Sequence, residues 1–125
     1  MKLRIRGNSL RIRVTQGELE NFAETGAIHD SIEFGPETQL TYRLTRDVQL
    51  SEMAADMNNE VITVRVPRDV ADEWVSTELV SLRAEQPLDG AEPLKILVEK
   101  DFACLVTREG EDDSDAFPNP SAGGG

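Results

Sequence analysis

The stretch Leu10-Arg-Ile-Arg-Val14, followed by Thr15 and a short segment carrying Phe22, is written again as Ile62-Thr-Val-Arg-Val66, followed by Pro67 and a segment carrying Trp74. Ile12 and Val64 stand 52 positions apart, and so do Phe22 and Trp74. Alternation of apolar with polar residues is the period of a half-buried strand. A strand leading twice, at a fixed offset, into an apolar-striped helix predicts a duplicated unit.

The neighbouring residues extend the pattern. Lys2-Leu-Arg-Ile-Arg6 alternates in the same way, and Gly7-Asn8 separates it from Leu10–Val14. Two alternating runs around a Gly-Asn pair predict a hairpin, because glycine supplies the positive φ of a tight turn. A two-residue turn sets Ile5 opposite Leu10 and Leu3 opposite Ile12, so both apolar sets share a face. Thr15-Gln-Gly-Glu18 has the form of a capping box. Leu19, Phe22 and Ala23 supply the helical stripe, and Gly26 a C-terminal stop. Residues 27–34 and 38–46 alternate around Gly35-Pro36, which predicts a second hairpin.

The second half follows the same plan. Met53, Ala55 and Met57 alternate with polar residues, Asn58-Asn59 suits a turn, and 60–66 reads as a strand. Leu50 to Met57 also suits the start of a helical turn. Pro67 fits a first helical position, with Val70, Ala71, Trp74 and Val75 as the stripe. Strands follow at 79–86 and 94–100, joined at Pro87-Leu-Asp-Gly90. Here the offset is 54, with Leu40, Tyr42 and Leu44 matching Leu94, Ile96 and Val98. The expectation is one α+β domain over residues 1–108, with repeats at about 2–46 and 53–105. Each repeat is a hairpin–helix–hairpin unit. About eight antiparallel strands would form a barrel or strongly curved sheet with two helices, since closure removes exposed edges. Residues 109–125 read as an acidic, partly flexible C-terminal tail, with Glu109, Glu111, Asp112, Asp113 and Asp115 crowded together.

A chain of 125 residues is about one domain. No apolar run follows the basic start, as a signal peptide requires, and no stretch is long enough to cross a bilayer. The lone Cys104 cannot make an internal disulfide. The expectation is a cytoplasmic protein. A formal charge of −11 argues against general nucleic-acid binding. Motifs of catalysis are missing: there is no phosphate-cradling glycine loop, no serine elbow and no zinc spacing. No catalytic residue and no required cofactor is assigned. His29, the single histidine, suits a surface or hydrogen-bonded role, and Cys104 a small buried residue. The acidic run lacks the glycine and terminal glutamate of an EF-hand loop. Nothing in the sequence sets the oligomeric state.

The strand phase sorts the charges. Lys2, Arg4, Arg6, Arg11, Arg13, Arg43, Arg65, Arg83 and Lys95 fall on the polar phase, nine of the thirteen basic residues. Glu33, Glu85 and Glu99 share that phase, whereas the helices are mainly acidic. In the first hairpin Arg4 should face Arg11 and Lys2 face Arg13, pairs that repel. Three things could compensate: water with the nearby glutamates, the acidic tail, or a phosphate-bearing ligand gripped by arginine forks. The leading expectation is a non-enzymatic binding protein that uses this basic face for an anionic ligand, an acidic partner segment or its own tail. The alternative is an enzyme acting on a phosphorylated small molecule, with Glu33, Glu85 or Glu99 holding magnesium.

Two resemblances accompany these readings. The opening residues 1–15, the closing Val98-Glu-Lys-Asp-Phe-Ala-Cys-Leu105, Gly110-Glu-Asp-Asp-Ser-Asp115 and Phe117-Pro-Asn-Pro120 resemble a family of small uncharacterised bacterial proteins. That resemblance implies a bacterial cytoplasmic origin and brings no assigned activity. The duplicated plan with its basic phase also resembles the triphosphate-tunnel (CYTH-like) phosphohydrolases, which implies an eight-stranded antiparallel tunnel lined with Arg, Lys and Glu. That group opens with Glu-x-Glu-x-Lys; here the comparable strand is Lys2-Leu-Arg-Ile-Arg6, without a carboxylate.

Overall fold

The computed structural model describes residues 1–101. The expectations for Cys104, the acidic run and the boundary at 108 lie outside them. The order is β1 (Lys2–Arg6), β2 (Ser9–Val14), α1 (Gln16–Thr25), β3 (Ala27–Gly35), β4 (Thr38–Asp47), β5 (Ala54–Asn58), β6 (Val61–Pro67), α2 (Arg68–Ser76), β7 (Ser81–Leu88) and β8 (Ala91–Lys100), an α+β fold.

Consecutive strands pair as four antiparallel hairpins. In the first, Leu3 faces Ile12 and Ile5 faces Leu10 across Gly7-Asn8, with Gly7 at φ 55°. The third turn is Asn59-Glu60, at φ 52° and 64°, one residue later than the sequence suggested. The reason is register: pairing Ala55 with Val64 and Met57 with Ile62 makes Asn58 the last paired residue, opposite Val61. In the fourth, the register shifts between Gln86 and Leu88. Pro87, which has no N–H for the ladder, falls within that irregularity.

The helices begin differently. Thr15 Oγ1 accepts from the Glu18 N–H at 3.3 Å, and Glu18 Oε1 accepts from the Thr15 N–H at 2.9 Å. Gly26 closes α1 at φ 81°. A Cβ there would meet the Arg46 guanidinium at 3.4 Å, so glycine satisfies both backbone and space. α2 starts without a side-chain cap, and Pro67 takes the N-cap rather than the first helical position.

The strands do not form a barrel, a tunnel or a single curved sheet. They make two four-stranded mixed sheets, sheet A in the order β1-β2-β8-β7 and sheet B in the order β3-β4-β6-β5. Nor are they all antiparallel. β2 runs parallel to β8 with Ile12 beside Val98, and β4 runs parallel to β6 with Leu44 beside Val64. In each sheet two hairpins bring their second strands together with their turns at the same end, so the central pair must be parallel. The chain passes between the sheets through its helices, from β2 to β3 by α1 and from β6 to β7 by α2.

Both sheets and both helices contribute to one core. Ile12, Val14, Leu82, Ile96 and Val98 come from sheet A, and Ile28, Leu44, Ala55, Val64 and Val66 from sheet B. Between the helices Phe22 and Trp74 meet edge to face, with centroids 6.0 Å apart. Trp74 Nε1 donates to the Val80 carbonyl at 3.0 Å, so the indole is buried without an orphaned N–H. Gln86 ties the sheets at one side. Its amide donates to the Ala55 carbonyl and accepts from the Ala55 N–H, at 3.0 and 2.7 Å, much as a strand backbone would. Among the described residues no helix is long and apolar enough to cross a membrane.

Candidate anion-binding face

With the apolar phase turned into the core, the polar phase of sheet A becomes an outer face of three rows, each crossing β1, β2, β8 and β7. The pairings place Lys2, Arg13, Glu99 and Ser81 in the row next to the helices. Arg4, Arg11, Leu97 and Arg83 form the middle row, and Arg6, Ser9, Lys95 and Glu85 the row next to the turns. Seven cations and two carboxylates thus occupy twelve neighbouring positions. Rows stand about 7 Å apart and strands about 4.8 Å apart, so neighbouring cations of β1 and β2 lie within one Debye length of one another at physiological salt.

Glu99 is the internal counter-ion. It accepts from Arg13 Nε at 2.5 Å and lies 3.7 Å from Arg11 Nε. Arg13 is only 7% exposed, so this pair is shielded from water and each member depends on the other. Lys2 Nζ lies 3.5 Å from the Asp101 carboxylate at the end of β8. Across the other two rows is a concavity of about 550 Å³ lined by Ser9, Arg11, Arg83, Glu85, Lys95 and Leu97 among others. Arg11 and Arg83 each pair directly with Leu97. Two guanidinium-bearing positions therefore flank one half-buried apolar side chain.

Sheet B presents a different outer face. Its rows run His29–Arg43–Thr63–Asp56, Ser31–Thr41–Val61–Asn58 and Ala27–Thr45–Arg65–Ala54. Arg65 Nε donates to Asp56 at 2.9 Å. That hydrogen bond and the carboxylate's charge push the Arg65 pKa further up. Thr41 and Thr63 are buried, and the Ser31 and Thr41 hydroxyls lie 3.0 Å apart. Among the described residues Thr45 Oγ1 is buried without a hydrogen-bond partner.

The single basic face expected from strand phase is therefore divided. Lys2, Arg4, Arg6, Arg11, Arg13, Arg83 and Lys95 share sheet A, whereas Arg43 and Arg65 lie on sheet B. The proposed magnesium ligands are also separated. Glu33 is on sheet B, and Glu85 and Glu99 occupy different rows and strands of sheet A. Among the described residues no three His, Cys, Asp or Glu side chains gather as metal ligands. His29 is exposed and faces Arg43. Sequence reasoning missed Leu97 and Ser9 as part of the face. Leu97 breaks the alternation of its strand, which was the one visible signal. Its place between two arginines depends on the parallel β2–β8 pairing, which alternation does not encode.

No curated protein and no solved structure matches the chain. One family model does, over residues 1–121, and its description is a family of unknown function (DUF7009). The chain belongs to that family.

Proposed function

We propose that this member of a family of unknown function is a non-enzymatic binding protein whose working surface is the outer face of sheet A. The observation that carries the reading is the concentration of seven cations on one face, against Glu85, Glu99 and, at its edge, Asp101, in a chain with a net charge of −11. Such a face is costly to hold together, because cross-strand like charges repel by tenths of a kcal/mol to about 1 kcal/mol per pair. An anion seated across the middle row relieves that repulsion. Arginine forks at Arg11 and Arg83 suit phosphate oxygens bidentately, and Leu97 offers a dry floor between them. The ligand class is a compact molecule with several phosphate groups.

Thermal melting with inorganic tripolyphosphate tests the reading, because a ligand of the folded state raises the midpoint by mass action. The midpoint should rise for the natural chain and for Arg43→Ala/Arg65→Ala, and stay unchanged for Arg11→Ala/Arg83→Ala. An equal rise in all three would mean that sheet A is not the site. Magnesium-dependent release of phosphate would replace binding by the hydrolytic reading.

The same proposal extends to the origin of the face: the halves are copies of one hairpin–helix–hairpin unit, and only one of the two resulting sheets has been made basic. Three features support it. Exchanging the halves turns the order of sheet A into that of sheet B. The offsets of 52 and 54 carry the pair Ile12–Val98 onto Val64–Leu44. Phe22 and Trp74, also 52 apart, pack against each other.

A further inference from the structure

We propose that the β3 edge of sheet B pairs with the same edge of a second copy of this chain, antiparallel, around a two-fold axis at Ser31. The four edge strands of the two sheets are not alike. β1 and β5 have five residues each, β1 carries Lys2, Arg4 and Arg6, and β7 carries Pro87 at its register shift. Shortness, cations and proline all keep a sheet edge from pairing. β3, Ala27–Gly35, has nine residues, no lysine, arginine or proline, and every residue but Ile28 exposed. Ile32 is 50% exposed and Phe34 67%.

The ladder to β4 fixes which groups face outward. The Arg46 N–H donates to the Gly26 carbonyl at 2.8 Å, which makes these two a hydrogen-bonded pair. Such pairs alternate with non-hydrogen-bonded ones in an antiparallel ladder, so Ile28, Asp30 and Ile32 bond to β4. Ala27, His29, Ser31 and Glu33 turn their N–H and C=O groups to the edge. The Ser31 N–H donates to the Asp30 carboxylate at 2.9 Å, a local bond that a partner's carbonyl can replace.

An identical strand meets these groups with the axis at Asp30, Ser31 or Ile32. At Asp30 the two Asp30 carboxylates stand directly opposite and repel. At Ile32 the overlap shrinks to residues 31–33, because the register shift against β4 falls between Glu33 and Gly35. At Ser31 residues 29–33 overlap, and His29 of each copy faces the partner's Glu33. Asp30 then lies across from the partner's Ile32, clear of its own equivalent, so it sets the register. The three outward pairs exchange about six backbone hydrogen bonds, at two per pair, and an imidazole–carboxylate contact closes each end. A two-fold pairing of this kind is complete at two copies. It uses none of the cations of sheet A, so it stands or falls apart from the anion-binding reading.

Sedimentation of the full chain at physiological salt tests the pairing; salt is needed because two chains of net charge −11 repel at long range. The mass should rise with concentration from one chain to two and stop there. Ser31→Pro removes an outward N–H at a position that an edge strand tolerates, and should keep the chain single. His29→Glu and Glu33→Lys, both at exposed residues, should each weaken the pair about tenfold, as the contacts at both ends are lost. The double variant His29→Glu/Glu33→Lys restores opposite charges across the axis and should recover the natural affinity. A natural chain that stays single at millimolar concentration overturns the proposal. So does a dimer that all three single substitutions leave unchanged, because its interface then lies elsewhere. Single variants that weaken the pair without recovery in the double variant overturn the axis at Ser31.

Discussion

The two sheets of this molecule share an arrangement and differ in chemistry. Each has two hairpins meeting at a parallel central pair, and each turns its apolar phase into the common core. On its outer phase sheet A sets Arg4, Arg11, Leu97 and Arg83 in a row, where sheet B has Asp56, Thr63, Arg43 and His29. Sheet B pairs Arg65 with Asp56 and buries Thr41 and Thr63. Sheet A accumulates one sign of charge, which costs stability unless something anionic is present. The core-facing phase is alike in the two sheets, and the outer phase is where their chemistry differs.

The largest expected effect tests whether the sheets are energetically one body. Trp74→Ala removes a fully buried ring that packs on Phe22 between the helices. It should cost about 3–5 kcal/mol, as large aromatic deletions do. In urea, unfolding followed by tryptophan-independent probes on each sheet should remain a single coincident transition at a lower midpoint. Separate transitions for the two sheets would mean that each folds on its own.

The next effect compares the sheets through one residue of each. Arg13 is shielded and grips Glu99, whereas the Arg65 side chain is 40% exposed in its pair with Asp56. Arg13→Ala leaves Glu99 with Arg11 at 3.7 Å, so the loss should be about 1–3 kcal/mol rather than the full cost of an unpaired buried charge. Arg65→Ala should cost less than about 1 kcal/mol, as exposed pairs do. Paired denaturation curves decide this, and equal losses would erase the distinction between a shielded and an open ion pair.

Local chemistry was legible in the sequence and neighbourhood was not. The Gly7-Asn8 turn, the Thr15–Glu18 capping box and the Gly26 stop each depend on residues within a few positions of one another, and the structure has all three. The Asn59-Glu60 turn moved by one residue because cross-strand register outweighs turn preference, even though it puts Glu60 at positive φ. The barrel failed because alternation tells a strand which face to bury but not which strand lies beside it. Parallel pairing of β2 with β8 joins residues 86 apart, such as Ile12 and Val98, and no local pattern records that. The candidate site shared this limit. Strand phase picked out nine cations, and only the pairing assigned seven to one sheet and left Arg43 and Arg65 on the other.

The smallest effect compares the helices that carry the chain between the sheets. α1 has a reciprocal cap and α2 has none. Thr15→Ala should therefore cost about 1 kcal/mol, whereas substitution of Arg68 at the start of α2 should be nearly silent. Glu18 adds a pH signature. Partial burial pushes its carboxyl up, but hydrogen bonds from the N-terminal ammonium and Thr15 outweigh this and hold the group below its ordinary value of 4.5. A carboxylate whose pKa is lower in the folded state contributes stability above its unfolded pKa and loses it as pH falls through the folded one. The natural chain should thus lose stability faster than Glu18→Gln as pH drops below 4.5, with parallel curves at neutral pH. If the two curves stay parallel through the acid range, the ion pair contributes nothing, and α1 is held, like α2, by packing on the Phe22–Trp74 contact alone.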